Sequence, residues 1–493
     1  MRKEPLTPHI KRKNNQKNAP FVGRKEELKE LKLLLNKKSS SLVVINGRRR
    51  IGKSRLVREF GKKQNLCILS GIPPTEKTTA QSQREEFARQ LNEYFPLPGL
   101  KANDWGDLFT ILAQQVSRGR IILLLDEITW MGSLDFDFLG KLKTAWDKYF
   151  SQNPTLIMIL CGSVSSWIEK NILTSKGFMG RISLTLHLKE LTVSECNQFL
   201  TLLEFHVNPY EIFKMLSVTG GVPRYIEEMQ SKLGAEENIK RLCFKKSGIL
   251  FNEFNEIFHD LFSKRSILYK RIVELLVNGH LEFNEICEKL DLEKSGVMSE
   301  YLDDLIKAGF IRRDFTWNIK NNQVSNLSHY RLSDNYIRFY LKYVEENRER
   351  IENGHFNNKS LPSLSGWTSI VGLQFENLVL NNREFIWKKL NLNSEDIVSD
   401  NPFFQRKTSK IAGCQIDYLI QTRFNTIFAC EIKFSKQEIK LDVMYEMQEK
   451  LKKLSLPRGF SCLPVLIHVN GVQESVIDAG YFLECIDFSE SLQ

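Results

Sequence analysis

The chain has 493 residues, enough for three or four domains of roughly 100–200 residues each. Hydrophobic residues make up 42% of it and the net charge is +11, which is typical of a globular protein with a modest basic excess. No apolar run reaches the roughly 18 residues of a membrane helix, and residues 1–20 lack the apolar core of a secretory signal. Nine scattered cysteines without paired spacing argue against structural zinc. We therefore expect a cytoplasmic protein with no membrane partner.

After a predicted basic tail at residues 1–20, an α/β pattern covers residues 21–187. Continuous apolar runs of strand length alternate there with amphipathic helical stretches, which is typical of a parallel sheet buried on both faces. The runs are SLVVING, LCILSG, RIILLLDE and TLIMILCGS, which begin at Ser41, Leu66, Arg120 and Thr155.

The segment GRRRIGKS, residues 47–54, fits the phosphate-binding pattern G-x-x-x-x-G-K-S. It follows a predicted strand and opens a predicted helix, which is the context that this motif requires. Its glycines let backbone N–H groups turn towards phosphate, while Lys53 contributes charge to the β- and γ-phosphates and Ser54 a hydroxyl to Mg²⁺. The nucleotide-binding residues predicted here are Gly47, Arg48, Arg49, Arg50, Ile51, Gly52, Lys53, Ser54 and Arg55.

Two adjacent carboxylates, Asp126 and Glu127, follow the apolar run at residues 121–125. Such a pair is costly at the end of a buried strand unless it faces a cation or water. We predict that Asp126 holds Mg²⁺ through water and that Glu127 polarises the attacking water. Ser163 ends the next apolar run and is predicted to contact the γ-phosphate or that water, although an ordinary Gly-Ser turn is an alternative.

Six motifs between residues 21 and 230 resemble the archaeal-type ATPases of the STAND branch, near the AAA+ proteins: FVGRKEELKEL, INGRRRIGKSRL, LLLDEI, CGSV, GRI and GGVPRYI. The resemblance implies a parallel sheet of strand order 5-1-4-3-2, a winged helix and a helical lid, which we place at residues 188–255. It further implies that residues 21–24 lie near the adenine, that Arg181 is a γ-phosphate sensor or finger, and that Arg224 is a sensor in the lid. A solvated arginine is the alternative for both.

A winged helix-turn-helix is predicted over residues 256–345, because three helical stretches are followed by two strands around a polar turn. Acidic residues within its recognition helix leave a protein-interaction role as open as DNA contact. A polar segment at residues 346–365 is predicted to be a linker. The candidate DNA contacts are Lys294, Ser295 and Ser299 of the recognition helix and Arg312, Arg313 and Lys320 of the wing.

Residues 366–493 are predicted to form a separate mixed α/β domain. It contains a hairpin in which charged residues interrupt a strand that is expected to be buried. A hairpin that pivots on Phe424 places Asp417 opposite Glu431, with Lys433 on the same face as Glu431. Two opposed carboxylates repel each other, but a divalent cation bound between them makes the arrangement favourable. Two carboxylates that hold Mg²⁺ beside a lysine suit phosphodiester cleavage by a metal-bound water.

The spacing D-x₁₃-E-x-K of Asp417, Glu431 and Lys433 resembles the core of the restriction-endonuclease-like superfamily, PD-(D/E)xK. By that resemblance Glu376, in a preceding helical stretch, is a further acidic catalytic residue. The chain departs from the motif at Ile416, where the superfamily has proline. A sheet face on which Lys433 simply neutralises Glu431, or a nuclease fold that only binds, remains an alternative.

Together these patterns predict an ATP hydrolase coupled to a nuclease, with ATP and Mg²⁺ as cofactors and Mn²⁺ as an alternative metal at the nuclease site. The expected partner is nucleic acid, DNA in the first place; a homo-oligomer is left open, and defence against foreign DNA would suit such a protein. One alternative is a regulatory STAND-type switch that binds DNA or a protein without cutting. Another is a DNA-remodelling ATPase that uses the last domain as a grip.

Overall fold

The computed structural model describes residues 20–75, 77–97, 99–132, 134–163, 165–262, 266–409 and 411–493. The predicted basic tail therefore lies outside the described residues, apart from Pro20. Two compact units are present: the described residues up to 189 with 259–262, and residues 190–258 with 266–493. Across these described ranges, no helix is both long and apolar enough to cross a membrane.

The first unit is built on a parallel sheet with the order β2-β3-β4-β1-β5. Read from its other edge, this is the predicted order 5-1-4-3-2, which is confirmed. The strands are β1 (Ser41–Asn46), β2 (Asn65–Ser70), β3 (Ile121–Asp126), β4 (Ile157–Gly162) and β5 (Ile182–His187). The helices are α1 (Lys25–Leu33), α2 (Lys53–Gly61), α3 (Ala80–Tyr94), α4 (Trp105–Gln115), α5 (Ile128–Gly132), α6 (Phe138–Lys148) and α7 (Ser165–Ile168).

The three central strands of this sheet, β1, β3 and β4, are buried on both faces, whereas the edge strands β2 and β5 are partly exposed. Along β3, Leu123 and Leu125 enter a core that contains Trp105, while Ile122 and Leu124 enter a second core on the opposite face. Successive side chains of a strand point to opposite faces, so a strand between two cores must be apolar throughout. This explains the continuous apolar runs, and it places the polar residues at the strand ends.

The second unit contains a three-stranded and a five-stranded sheet. The first has the antiparallel order β6-β8-β7; the second, β13-β12-β11-β10-β9, is antiparallel from β9 to β11 and parallel from β11 to β13. The strands are β6 (His280–Glu282), β7 (Ile311–Trp317), β8 (Val324–Leu332), β9 (Ile397–Gln405), β10 (Cys414–Thr422), β11 (Thr426–Ile432), β12 (Ser461–His468) and β13 (Glu484–Asp487).

Helices make up most of the remaining second part of the chain. They are α8 (Val193–Leu202), α9 (Pro209–Thr219), α10 (Pro223–Glu227), α11 (Ala235–Cys243), α12 (Ile249–Phe262), α13 (Ser266–Leu275), α14 (Phe283–Leu290), α15 (Gly296–Lys307), α16 (Asn335–Phe339), α17 (Arg348–Glu352), α18 (Trp367–Asn381), α19 (Arg383–Lys389), α20 (Asp442–Lys453) and α21 (Glu474–Asp478).

Helices α13 to α15 and the hairpin of β7 and β8 follow the element order predicted for a winged helix. The end of this hairpin is only partly exposed: Asn318 and residues 320–324 are exposed, whereas Trp317 and Ile319 are buried. Trp317 and Ile319 join a core with Phe403 of β9. The Trp317 indole N–H donates to Gln421 Oε1 at 2.6 Å, and Gln421 Nε2 donates to the Ile319 carbonyl at 2.9 Å. The predicted wing therefore shares a core with the C-terminal sheet.

The predicted lid also packs against the C-terminal part of the second unit. On α9, the Phe213 ring lies 5.5 Å from that of Phe375 and 5.4 Å from that of Phe488. Tyr210 stacks on Phe434 with ring centres 4.9 Å apart. Aromatic pairs at such distances stabilise a fold beyond the area that they bury. Residues from the predicted lid and from the predicted nuclease-like domain thus form one aromatic cluster.

The segment predicted to be a linker, residues 346–365, is folded. It contains α17, and the side chains of Ile351, Phe356 and Leu361 are buried. Phe356 stacks on Phe244 with ring centres 5.1 Å apart. Its polar composition predicted a linker, but these three spaced apolar side chains anchor the segment to the second unit.

Candidate functional site

The loop between β1 and α2 forms the predicted phosphate site. Its backbone has positive φ at Gly47 (143°), Arg50 (69°) and Gly52 (92°). A Cβ at Gly47 would lie 2.5 Å from the Leu188 carbonyl oxygen, so only glycine fits there. The Lys53 ammonium donates to the carbonyls of Gly47 and Arg48, each at 3.0 Å, and so lies within the loop. This geometry turns the lysine towards the place where a β- or γ-phosphate binds in such loops.

The other predicted residues of the motif line the same loop or the helix after it. Ile51 is fully buried and packs in the core beneath the loop. Arg24 Nη2 donates to the Ile51 carbonyl at 3.2 Å, so the segment of residues 21–24 lies beside the phosphate loop, as the predicted adenine contact requires. Arg48, Arg49 and Arg50 belong to the loop, and Arg55 lies in the first turn of α2.

Ser54 and Asp126 are brought together from α2 and the end of β3. The Ser54 hydroxyl donates to Asp126 Oδ2 at 2.7 Å. Among the described residues, nothing hydrogen-bonds to the other oxygen of this carboxylate, Oδ1, although it is buried. Because an unpaired buried carboxylate oxygen is costly and Mg²⁺ prefers oxygen ligands, these two side chains fit the magnesium ion of a bound nucleotide.

Glu127 lies directly after β3 in a left-handed backbone conformation, with φ of 51°. Burial raises the pKa of its carboxyl; the charge of Lys53 acts in the opposite direction and that of Asp126 adds to the rise. The Ser163 hydroxyl, at the end of β4, donates to Glu127 Oε2 at 3.0 Å. Ser163 therefore positions Glu127 here, while the predicted contact with the γ-phosphate or water stays a prediction.

The two arginines implied by resemblance are held by carboxylates in their own units. Arg181, in the first unit, makes a two-pronged ion pair with Asp147, at 2.6 and 2.8 Å. Arg224, in the second unit, pairs with Glu227 at 2.8 Å and with Glu228 at 2.6 Å. Their roles as γ-phosphate and lid sensors stay predictions.

One polar pair beside the phosphate loop was not predicted. His187 Nδ1 and Asn46 Oδ1 lie 2.9 Å apart, where β5 and β1 end next to each other. Burial, and secondarily the charge of Lys189, lowers the pKa of His187, so the ring is neutral at pH 7 and can donate one hydrogen bond here. Asn46 directly precedes Gly47. A polar residue at the end of an apolar run was the sequence signal that could have indicated this pair.

The charged hairpin of the second unit has the predicted register. Tyr418 pairs with Cys430 and Ile420 with Phe428, so the hairpin pivots on Phe424. Asp417 and Glu431 therefore occupy the next opposed positions. Asp417 Oδ2 accepts a hydrogen bond from the backbone N–H of Ile432 at 3.0 Å, which holds the carboxylate against β11.

Lysines surround these carboxylates. Lys433 Nζ lies 3.0 Å from Glu431 Oε1 and 2.8 Å from Glu446. Lys450 of α20, which was not predicted, lies 2.5 Å from Glu431 Oε2 and 3.5 Å from Asp417 Oδ1. The signal for it was the i,i+4 spacing of Glu446 and Lys450, which places both on one side of α20. The lysines thus neutralise a sheet face that otherwise carries opposed like charges.

Glu376 of α18 belongs electrostatically to the same group. Burial, followed by the nearby charge of Asp417, raises the pKa of Glu376 to about 8. Burial, followed by the charge of Glu431, raises the pKa of Asp417 to about 6. In the part of the chain that the structure describes, no three or more His, Cys, Asp and Glu side chains are grouped to hold a metal. A metal here would rest on Asp417 and Glu431, with water as its other ligands.

Comparison with known proteins supports the prediction of an ATPase domain, which includes most of the first unit and the start of the second. Residues 21–229 match the family described as an ATPase domain predominantly from Archaea. An uncharacterized protein of Methanocaldococcus jannaschii is 25% identical over 373 residues, which span 74% of this chain and 77% of that protein. An uncharacterized ATP-binding protein of the same organism is 45% identical over 46 residues, 9% of this chain and 78% of that protein.

Among solved structures, the Walker-type ATPase of Pyrococcus abyssi is similar in fold, with a TM-score of 0.50 and 18% sequence identity. The match covers 65% of this chain and 96% of that one. At this identity the similarity concerns the fold alone.

Proposed function

We propose that this chain, whose residues 21–229 are an ATPase domain of the family found predominantly in Archaea, couples ATP hydrolysis to Mg²⁺-dependent cleavage of nucleic acid. The cleavage part of this proposal rests on one observation: Asp417 and Glu431 face each other on paired strands, and two lysines form ion pairs with them. An ATP-regulated DNA nuclease of the STAND type, acting in defence against foreign DNA, is the specific form of this proposal.

Five side chains of the first unit contribute to ATP hydrolysis. When ATP binds, the Lys53 ammonium exchanges its hydrogen bonds to the loop carbonyls for contacts with the β- and γ-phosphates, whose charge it neutralises. Ser54 and Asp126 would hold Mg²⁺, which when bound would draw charge from the phosphate oxygens. Glu127 accepts a hydrogen bond from the attacking water, and its raised pKa suits a group that also takes the proton. Ser163 fixes the orientation of Glu127 through their hydrogen bond.

At the second site, Asp417 and Glu431 would hold Mg²⁺ or Mn²⁺, which supplies a water of lowered pKa beside the phosphodiester. Burial lowers the pKa of Lys433, but Glu431 and Glu446 raise it by more, so the ammonium stays protonated at neutral pH. Lys433 therefore orients the water or phosphate and does not act as the base. Glu376, whose pKa is about 8, would offer a proton to the leaving oxygen.

Nucleic acid has a candidate contact surface on the predicted winged helix. A cavity of about 390 Å³ is lined by Ser299 of α15, Arg313 of β7 and Arg406, which follows β9. Arg313 is exposed and is held by the Ser328 hydroxyl at 2.9 Å. Its neighbour Arg312 is less exposed, and burial, followed by the charge of Arg331, lowers its pKa to about 10. Of the two, Arg313 is better placed to meet a phosphate.

The proposal is tested by incubating plasmid DNA with the full chain and Mg²⁺ or Mn²⁺, with and without ATP. The variants are Lys53→Ala, which disables the phosphate loop, and Asp417→Asn, which removes one carboxylate charge. We expect metal-dependent cutting by the wild type, none by Asp417→Asn, and cutting that no longer responds to ATP in Lys53→Ala. Absence of metal-dependent cutting by the wild type under every condition, with single-stranded DNA and RNA included, would overturn the nuclease assignment.

A second function, a regulatory switch that binds nucleic acid or a protein without cutting, is favoured by the pairing of both carboxylates with lysines. On that proposal the charged hairpin is a neutralised sheet face. Asp417→Asn would then leave ligand binding unchanged and lower stability, and ATP would change binding affinity rather than cutting. A filter-binding titration with and without ATP distinguishes the two functions.

A further inference from the structure

Five side chains of the second unit form a row of alternating charge. In order they are Glu446, Lys433, Glu431, Lys450 and Asp417, and successive members lie 2.8, 3.0, 2.5 and 3.5 Å apart. Glu431, in the middle, is only 2% exposed. A carboxylate so deeply buried needs both of its neighbours, because an unpaired charge in such a place is strongly destabilising.

The two lysines of this row differ in what they bridge. Lys433 lies between Glu431 and Glu446, an exposed residue of α20. Lys450 lies between Glu431 and Asp417, the pair of carboxylates that faces across the hairpin. The Lys450 ammonium therefore occupies the place where a divalent cation would contact both carboxylates. An ammonium and a divalent cation repel each other, so they cannot share that place.

We infer that Lys450 is a built-in counter-ion of the candidate nuclease site, which a divalent cation must displace before it can bind Asp417 and Glu431. This inference rests on the proposed function, because that function supplies the metal. The geometry permits the exchange: the Lys450 side chain is 31% exposed, and its four-carbon stem is flexible enough to turn into solvent.

Metal binding tests this without reference to cleavage. Mn²⁺ is titrated into the nucleotide-free full chain, and free Mn²⁺ is measured by electron paramagnetic resonance. Asp417→Asn gives the background from other sites, which is subtracted. Lys450→Gln should bind Mn²⁺ about tenfold more tightly than the wild type, because the competing charge is gone. Lys452→Gln, on the same helix and paired only with Glu449 among the described residues, is the matched control and should change the affinity far less.

Stability provides a second measurement, since Lys450→Gln leaves Glu431 with one partner fewer. Its melting temperature should fall below that of Lys452→Gln without metal and recover when Mn²⁺ is added. Should Lys450→Gln fail to fold, Lys450→Arg serves instead: arginine holds two carboxylates more firmly than lysine, so its Mn²⁺ affinity should drop below the wild type.

Equal Mn²⁺ affinity in Lys450→Gln and Lys452→Gln would overturn the inference, as would Mn²⁺ affinity that does not depend on Asp417. Neither result concerns cutting, which the plasmid assay measures separately. If Lys450→Gln bound Mn²⁺ more tightly but no cutting were seen, the inference about Lys450 would stand and the proposed nuclease activity would be rejected.

Discussion

The Glu127 carboxyl combines three features of a water-activating group: a position after β3, a raised pKa and a hydrogen bond from Ser163. Replacing it with glutamine keeps the shape and removes the acceptor of the proton. We predict that Glu127→Gln binds ATP as the wild type does and hydrolyses it at least about 100-fold more slowly. Phosphate release and fluorescent-nucleotide binding measure the two effects, and Glu26→Gln, an exposed change in α1, is the control. Equal hydrolysis in both variants would contradict the role of Glu127.

Glu376 makes stability depend on pH in a defined direction. Its pKa is about 8 in the folded chain, against an ordinary value of 4.5. Between these values the folded state keeps a proton that the unfolded state releases, so stability falls as pH rises. We predict that Glu376→Gln, which has no proton to lose, gains stability relative to the wild type from about pH 5 to about pH 8.

Urea unfolding at a series of pH values measures this difference. The exposed Glu395 provides a control substitution, Glu395→Gln, that should follow the wild-type curve. Parallel curves for Glu376→Gln and the wild type would show that Glu376 is ionised throughout this range.

At the scale of elements, the predicted winged helix has two features with different roles: the cavity beside Arg313, and the buried side chains of Trp317 and Ile319 near the end of its hairpin. We predict that Arg313→Ala weakens binding to an oligonucleotide and lowers the slope of affinity against salt by about one ion. Lys320→Ala removes the same charge from a position that does not line the cavity, and should have a smaller effect. Fluorescence anisotropy at several salt concentrations measures both, and equal losses would place the nucleic acid elsewhere.

The buried side chains near the end of the hairpin are expected to contribute to the stability of the second unit. Trp317 is 5% exposed and hydrogen-bonded, whereas Phe315, on the same strand, is 37% exposed. Trp317→Ala should lower the free energy of unfolding of the second unit by about 3–5 kcal/mol, because it leaves a cavity and removes the hydrogen-bond donor of Gln421 Oε1. Phe315→Ala should cost less than about 1 kcal/mol. Denaturant titration measures both, and similar costs would mean that the hairpin end is not part of the core.

Elements defined by local patterns could be predicted from the sequence, and contacts between distant elements could not. Strands β1 to β4 of the first sheet were predicted because burial demands apolar runs, whereas β5, an edge strand of alternating exposure, was implied only by the resemblance. The opposition of Asp417 and Glu431 follows from a short turn. Lys450 was missed because a helix can face a strand in several ways that spacing does not distinguish. The burial of Trp317 was missed for a similar reason, since a polar hairpin turn is typical of an exposed wing.

For the whole molecule, the aromatic cluster predicts that the lid helices and the C-terminal segment lose structure together. Phe213 is fully buried and contacts both Phe375 and Phe488. Phe213→Ala should therefore increase hydrogen exchange in α9 and α18 alike, by a destabilisation of about 3–5 kcal/mol. Phe424→Ala, which changes a ring that is 65% exposed, is the control. Faster exchange confined to α9 would mean that the cluster does not couple the two segments.

The hydrogen bond from Trp317 to Gln421 joins residues 104 positions apart. A ribosome that adds 5–20 residues per second needs about 5–20 s to travel that far. For a period of this length the hairpin has emerged from the ribosome while Gln421, which pairs with Trp317, has not. The Trp317 indole, which is buried in the folded chain, is then exposed to solvent on every nascent chain, where other nascent chains and chaperones can reach it. Yield at high expression levels should therefore depend on how quickly residues 318–421 are translated, and synonymous codons that slow this stretch should increase aggregation.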